Sequence, residues 1–152
     1  MIRNARQYRL TQAQAMKLEQ ALAQVKAGAS HSAVHPRLLQ AEQDALASQL
    51  ADVREQLVAY DALRTRQRPV LSLQSFDALP RGLMQARIAT GMSQKELAQR
   101  LGLKEQQIQR YEATEYASAS LARVTAIIRA LGLTVREEIV LPHPTRSEEP
   151  PT

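Results

Sequence analysis

The sequence predicts a mainly α-helical protein in two parts, an N-terminal helical hairpin with one long helix and a four-helix bundle flanked by two short β-strands. Three observations carry this prediction. The 152 residues include only five Gly, one Phe and no Trp, while Ala, Gln and Leu recur throughout, which favours helices over the many tight turns of an all-β fold. A heptad pattern runs without a breaker from Pro36 to about Arg64. Between Leu79 and Leu133, four short amphipathic patterns are separated by Gly or opened by Ser.

Residues 1–10 are basic and read as irregular. Thr11-Gln12-Ala13-Gln14 has the form of a capping box, so a helix is expected from about Gln12 to Lys26 with Ala15, Leu18, Leu22 and Val25 along one stripe. Ala27-Gly28-Ala29-Ser30 ends it. Pro36 suits a first helical position, and a helix from there to Arg64 would be roughly 43 Å long. Leu39, Leu46, Val53 and Tyr60 are spaced by sevens, with Leu50 and Leu57 interleaved. Such a seam needs cover from the preceding helix, a second copy of the chain, or both. Gln43 and Arg64 fall on seam positions, which favours a hairpin that also dimerises over a free-standing coiled coil. Residues 1–66 are therefore expected to form a domain for dimerisation or partner docking.

The polar, basic stretch Arg64–Pro69 marks a boundary, and 67–74 is a linker in which Val70-Leu71-Ser72-Leu73 reads as a strand. The bundle domain follows over 75–133. Leu133, Val135, Ile139 and Leu141 alternate with more polar residues, so 134–141 reads as a second strand, paired with the first or across a dimer. Residues 142–152 hold four of the seven Pro and read as a disordered tail.

The net charge of +5 is concentrated: residues 62–111 carry nine basic and three acidic side chains, an electrostatic footprint for a polyanion. With no Cys, and with His31, His35 and His143 sharing no short spacing, disulfides, redox chemistry and a Cys-ligated zinc site are excluded, and neither metal nor cofactor is expected. Asp52, Glu55 and Asp61 lie on the long helix with no nucleophile or His nearby, and no Gly-rich phosphate loop occurs, so an enzyme is not expected. No apolar run of 18 residues exists and the basic start is not followed by an apolar segment, which points to a cytoplasmic protein without a membrane span.

In the bundle, Pro80–Thr90 forms the first helix with Leu83, Met84 and Ile88 inward, and Gly91 stops it. Ser93 caps Gln94–Leu101 with Glu96 completing a capping box; after Gly102 a third helix ends near Glu112. Ser120 caps the fourth, with Leu121, Val124, Ile128 and Leu131 as its stripe up to Gly132. Leu97 and Leu101 anchor the second helix, and Ile108 and Tyr111 the third. Two helices crossing through so short a turn need a small residue at the crossing, here Ala98, and Gly102 where φ is expected to be positive.

The run Gly91-Met92-Ser93-Gln94-Lys95-Glu96-Leu97-Ala98-Gln99-Arg100-Leu101-Gly102-Leu103, with Ile108, Glu112, Ser120-Leu121 and Ala130-Leu131-Gly132-Leu133, resembles the Cro/CI-type (XRE) helix-turn-helix proteins. The resemblance implies a module, usually dimeric, that binds double-stranded DNA with its third helix in the major groove. It implies that Gln94 holds a phosphate, that Lys104, Glu105, Gln106 and Arg110 face base edges or the adjoining backbone, and that Gln107, toward a flank of the helix, and Gln109 rank behind them as readers. The Gln and Arg side chains agree, since Gln can pair with adenine and Arg with guanine, whereas the Glu105 carboxylate is repelled by phosphates unless it accepts from a cytosine amine. The loop Ala113–Ala119 lacks the family's common Gly and Lys, leaving the hydroxyls of Thr114, Tyr116 and Ser118 as its candidates for phosphate contact. The wider layout, with Gln7-Tyr8, a first helix, and a longer helix after Pro36 that carries Tyr60-Asp61, resembles HigA-type antitoxins. Two functions follow from these resemblances: a dimeric repressor of an inverted-repeat operator, or an antitoxin whose front helices neutralise a toxin while the rear module represses its own operon.

Overall fold

A computed structural model describes residues 1–28, 33–65 and 70–142. The Arg66–Pro69 part of the expected boundary and residues 143–152 of the expected tail lie outside the described residues. Among the described residues six α-helices follow in order: α1 (Ala5–Gly28), α2 (Pro36–Arg64), α3 (Leu79–Ala89), α4 (Gln94–Arg100), α5 (Glu105–Ala113) and α6 (Leu121–Ala130), with a 3₁₀ turn, Phe76–Ala78, leading into α3.

Helix α1 begins well before the Thr11 box. Asn4 Oδ1 accepts from the Gln7 amide N at 2.9 Å and Gln7 Oε1 accepts from the Arg3 amide N at 2.8 Å, a reciprocal cap about two turns earlier in the chain. Thr11 sits inside the helix, where its hydroxyl donates to the Gln7 carbonyl. Helix α2 has Pro36 in its first turn, and His35 Nδ1 accepts from the Arg37 amide N at 3.2 Å.

The two long helices form an antiparallel hairpin. Ala15 of α1 meets Leu50 and Val53 of α2 in one buried cluster, with Leu18, Leu22 and Leu57 half-buried around it. The heptad seam is thus filled from within the chain: Leu50, Val53 and Tyr60 are buried, and Leu39, Leu46 and Leu57 half-buried. Near the open ends of the hairpin, Tyr8 stacks on Tyr60 at 4.9 Å between ring centroids and its hydroxyl donates to Asp61 Oδ2 at 2.8 Å. That hydrogen bond to a carboxylate holds the Tyr8 phenol above its ordinary pKa. The Arg54–Glu19 pair at 2.7 Å is exposed on both sides and adds little.

Helices α3 to α6 enclose a second core of Leu79, Leu83, Met84, Leu97, Ala98, Ile108, Tyr116, Ile127 and Leu131. In α6 the inward stripe is centred on Ile127, fully buried, with Val124, Ile128 and Leu131, whereas Leu121 is 69% exposed. At 100° per residue, Leu121 falls on the edge of that stripe in the first turn. Ile88 faces away from the bundle core and packs with Ile2 and Tyr60, joining α3 to the hairpin.

The two expected β-strands are absent: no strand occurs among the described residues. Residues 70–73 and 133–142 are non-helical, and among the described residues no strand pairs with either, so neither the short apolar run nor the alternating segment gains a sheet's ladder of backbone bonds. Leu73 instead lies over Gly82, where an added Cβ would come within 3.0 Å of its Cδ2. Leu133 packs on the bundle, after which Ile139, Val140 and Leu141 stand exposed. Among the described residues no helix is long and apolar enough to cross a membrane, and no cluster of His, Asp and Glu is placed to hold a metal ion.

Candidate nucleic-acid interface

The geometry of the α4–α5 pair is set by its caps. Ser93 Oγ accepts from the Glu96 amide N at 3.1 Å, while Glu96 Oε2 accepts from the Ser93 amide N at 2.7 Å. These bonds, the backbone one foremost, hold the Glu96 carboxyl below its ordinary pKa. Gly102 takes φ +65° as expected, and the Leu103 amide N donates back to the Ala98 carbonyl at 2.8 Å. Helix α5 opens with Gln107 Oε1 accepting from the Lys104 amide N at 3.0 Å.

Burial fixes the rotation of α5. Ile108 and Glu112 are fully buried, so at 100° per residue Gln106 and Arg110 lie on the side away from the core. Lys104, Glu105, Gln107 and Gln109 are exposed as well. Two of these side chains are engaged within the helix: Gln107 in the cap, and Gln109, whose Nε2 donates to Glu105 Oε1 at 3.1 Å. Gln106 and Arg110 therefore stand out as the long donors on the outermost face.

Gln94 is placed differently from the others, being only 6% exposed at the head of α4. Its Nε2 donates to Glu112 Oε2 at 2.7 Å and its Oε1 accepts from Asn4 Nδ2 at 3.4 Å, which leaves one amide N–H for another acceptor. It belongs to a buried polar network centred on Arg87. Arg87 Nε and Nη2 donate to the two carboxylate oxygens of Glu112 at 2.5 and 2.9 Å, Nη1 donates to the Met92 carbonyl at 2.8 Å, and Nη2 also to the Arg3 carbonyl at 2.7 Å. A fork-on-fork pair with its remaining donors satisfied by carbonyls is the arrangement in which two charges tolerate burial. No side-chain polar atom in the described core is left without a partner.

Sequence reasoning passes over Arg87, Arg3 and Asn4. A signal for the first exists: Arg87 shares a helical stripe with Leu83, Met84 and Ile88, and a cation on a buried stripe demands a carboxylate, which Glu112 supplies. Asn4 and Arg3 act through partners more than 80 positions away, which no local pattern reveals.

The loop after α5 corrects one expectation. Tyr116 is buried in the core at φ +58°, its ring stacked 6.0 Å from Tyr111 and its amide N donating to the Tyr111 carbonyl at 2.7 Å. Burial, and then the Glu112 carboxylate, push its hydroxyl pKa far up, and the side chain is not placed to touch a phosphate. Thr114 Oγ1 donates to the Arg110 carbonyl at 3.0 Å and closes the end of α5.

Residues 83–137 match the helix-turn-helix family model, the Cro/CI-type DNA-binding domain, over most of α3, all of α4 to α6 and the segment that follows. The hairpin of α1 and α2 lies outside the match. No curated protein and no solved structure matches the chain.

Proposed function

We propose that this chain, with its helix-turn-helix over residues 83–137, is a sequence-specific regulator of transcription: a dimeric, cytoplasmic repressor that binds an inverted-repeat operator. In this reading α5 enters the major groove, Gln106 and Arg110 read base edges, and Lys104, Glu105, Gln107 and Gln109 contact its borders. Gln94 offers its remaining N–H to a phosphate. The observation that carries the reading is the pairing of a matched helix-turn-helix with two long, outward-facing donors four residues apart on its second helix. One helix reads only a few base pairs, so two copies with recognition helices about 34 to 36 Å apart, or a multiple of it, would supply usable specificity. Leu50, Val53 and Tyr60 are already covered within one chain, so such a dimer would form on other faces.

Selection of bound duplexes from a random pool tests the proposal. Arg110→Ala and Gln106→Ala should each cost about 1 to 3 kcal/mol on the selected sequence and much less on random DNA. Equal losses on both would overturn the assignment of base readers. A second reading, the antitoxin, is favoured by the exposed apolar side chains Leu10, Met16, Leu38 and Val58 on the hairpin. A small protein partner copurifying with the intact chain, and absent after those four residues are changed to Ser, would shift the balance to it.

A further inference from the structure

The first turn of α1 does not merely cap a helix. Arg3 and Arg6 line an open cleft together with Glu105 and Gln109 of α5, with Gln94 and with Arg64 from the end of α2. None of Arg3, Arg6 and Arg64 has an ion-pair partner among the described residues, and Glu105 is the one carboxylate in the lining. The cleft is thus cationic on the α1 side and adjoins the face from which Gln106 and Arg110 project. Its α1 wall is fixed in place, because Arg87 Nη2 holds the Arg3 carbonyl at 2.7 Å and Asn4 Nδ2 reaches Gln94 Oε1 at 3.4 Å.

From this arrangement we infer that Arg3 and Arg6 bind the phosphodiester backbone of the same duplex that α5 enters, so that the hairpin unit is part of the DNA-binding surface. This rests on the DNA-binding reading above. A duplex presents a strand of phosphates on each border of its major groove, and a helix lying in that groove has one of those strands along its flank. On the Glu105–Gln109 flank, the groups that meet such a strand are the guanidiniums of Arg3, just before α1, and of Arg6 in its first turn. They add affinity without sequence preference, and the Arg87 and Asn4 bonds fix the backbone that carries them, which spares the cost of ordering that segment on binding.

The test uses the full chain and a duplex of random sequence, with affinity followed by fluorescence anisotropy between about 50 and 200 mM salt. Removing one cation from a phosphate lowers the slope of log K against log salt by about 0.9, so Arg3→Ala with Arg6→Ala should lower it by about 1.8 per bound chain. Arg3→Lys with Arg6→Lys should retain the parent slope, and Arg37→Ala, exposed at the far end of the hairpin, should not change it. The Ala pair keeps the Arg3 carbonyl that Arg87 uses, and far-UV circular dichroism checks that the helices remain. A parent slope in the Ala pair, or a reduced slope that Lys does not restore, overturns this inference and leaves the DNA-binding reading standing. A parent chain with no salt-dependent binding at all overturns both.

Discussion

The hairpin and the bundle are both helical, yet they are held by different means. Helices α1 and α2, of 24 and 29 residues, form a long seam that buries only Ala15, Leu50 and Val53 fully, with Tyr60 at its end. Helices α4 and α5, of seven and nine residues, are too short to persist alone and depend on caps, a Gly turn and a buried ion pair. Length substitutes for specific bonds in the first unit, and specific bonds substitute for length in the second. The first unit can therefore loosen gradually, while the second should fail as a whole.

The largest expected effect lies in the bundle. Arg87→Ala leaves the Glu112 carboxylate buried without a counter-charge, a loss of about 3 to 5 kcal/mol, and also strips hydrogen bonds from the Met92 and Arg3 carbonyls. Thermal unfolding followed by circular dichroism should show the drop, and a change under about 1 kcal/mol would mean that water reaches the pair. Leu50→Ala should cost less, about 2 to 3 kcal/mol, at the low end for a buried Leu because its cluster has few members. Amide exchange should then quicken in α1 and α2 while Leu97 and Ile108 stay protected. Equal quickening in both units would erase the contrast between them.

The smallest effect is a pH dependence confined to α4. The Glu96 carboxyl has a depressed pKa in the folded chain, so its stabilising contribution is complete above the ordinary value of 4.5 and is lost as pH falls through the lower folded value. Acid titration of the parent followed by NMR should show the α4 amides of the first turn shifting below that range, and Glu96→Gln should abolish the step.

What can be read in the sequence follows the same division. The bounds of α2, the Ser93 and Ser120 caps and the Gly102 turn are legible, because each depends on residues within four positions of one another. A competing local signal, Thr11–Gln14, misplaces the start of α1, where Asn4–Gln7 offers the better cap. The two strands fail for a different reason, since a short apolar run at 70–73 and alternation in 133–141 describe a segment's own faces but not its neighbour. At the candidate site, the period of α5 alone places Gln106 and Arg110 outward, whereas the engagement of Gln94 with Glu112 and Asn4 joins residues 18 and 90 positions apart.

The hydrogen bond from Arg87 to the Arg3 carbonyl spans 84 positions of chain. During synthesis, Ile2, Arg3 and Asn4 leave the ribosome long before Arg87, Ile88 and Gln94 exist, so this turn waits for its partners until the bundle has been made. The hairpin can close on its own seam as soon as α2 has emerged, but the cleft acquires its cationic wall only when the bundle is complete. A nascent chain halted before Glu112 would therefore display two paired helices and no assembled grip for a nucleic acid, a built-in delay between folding and binding.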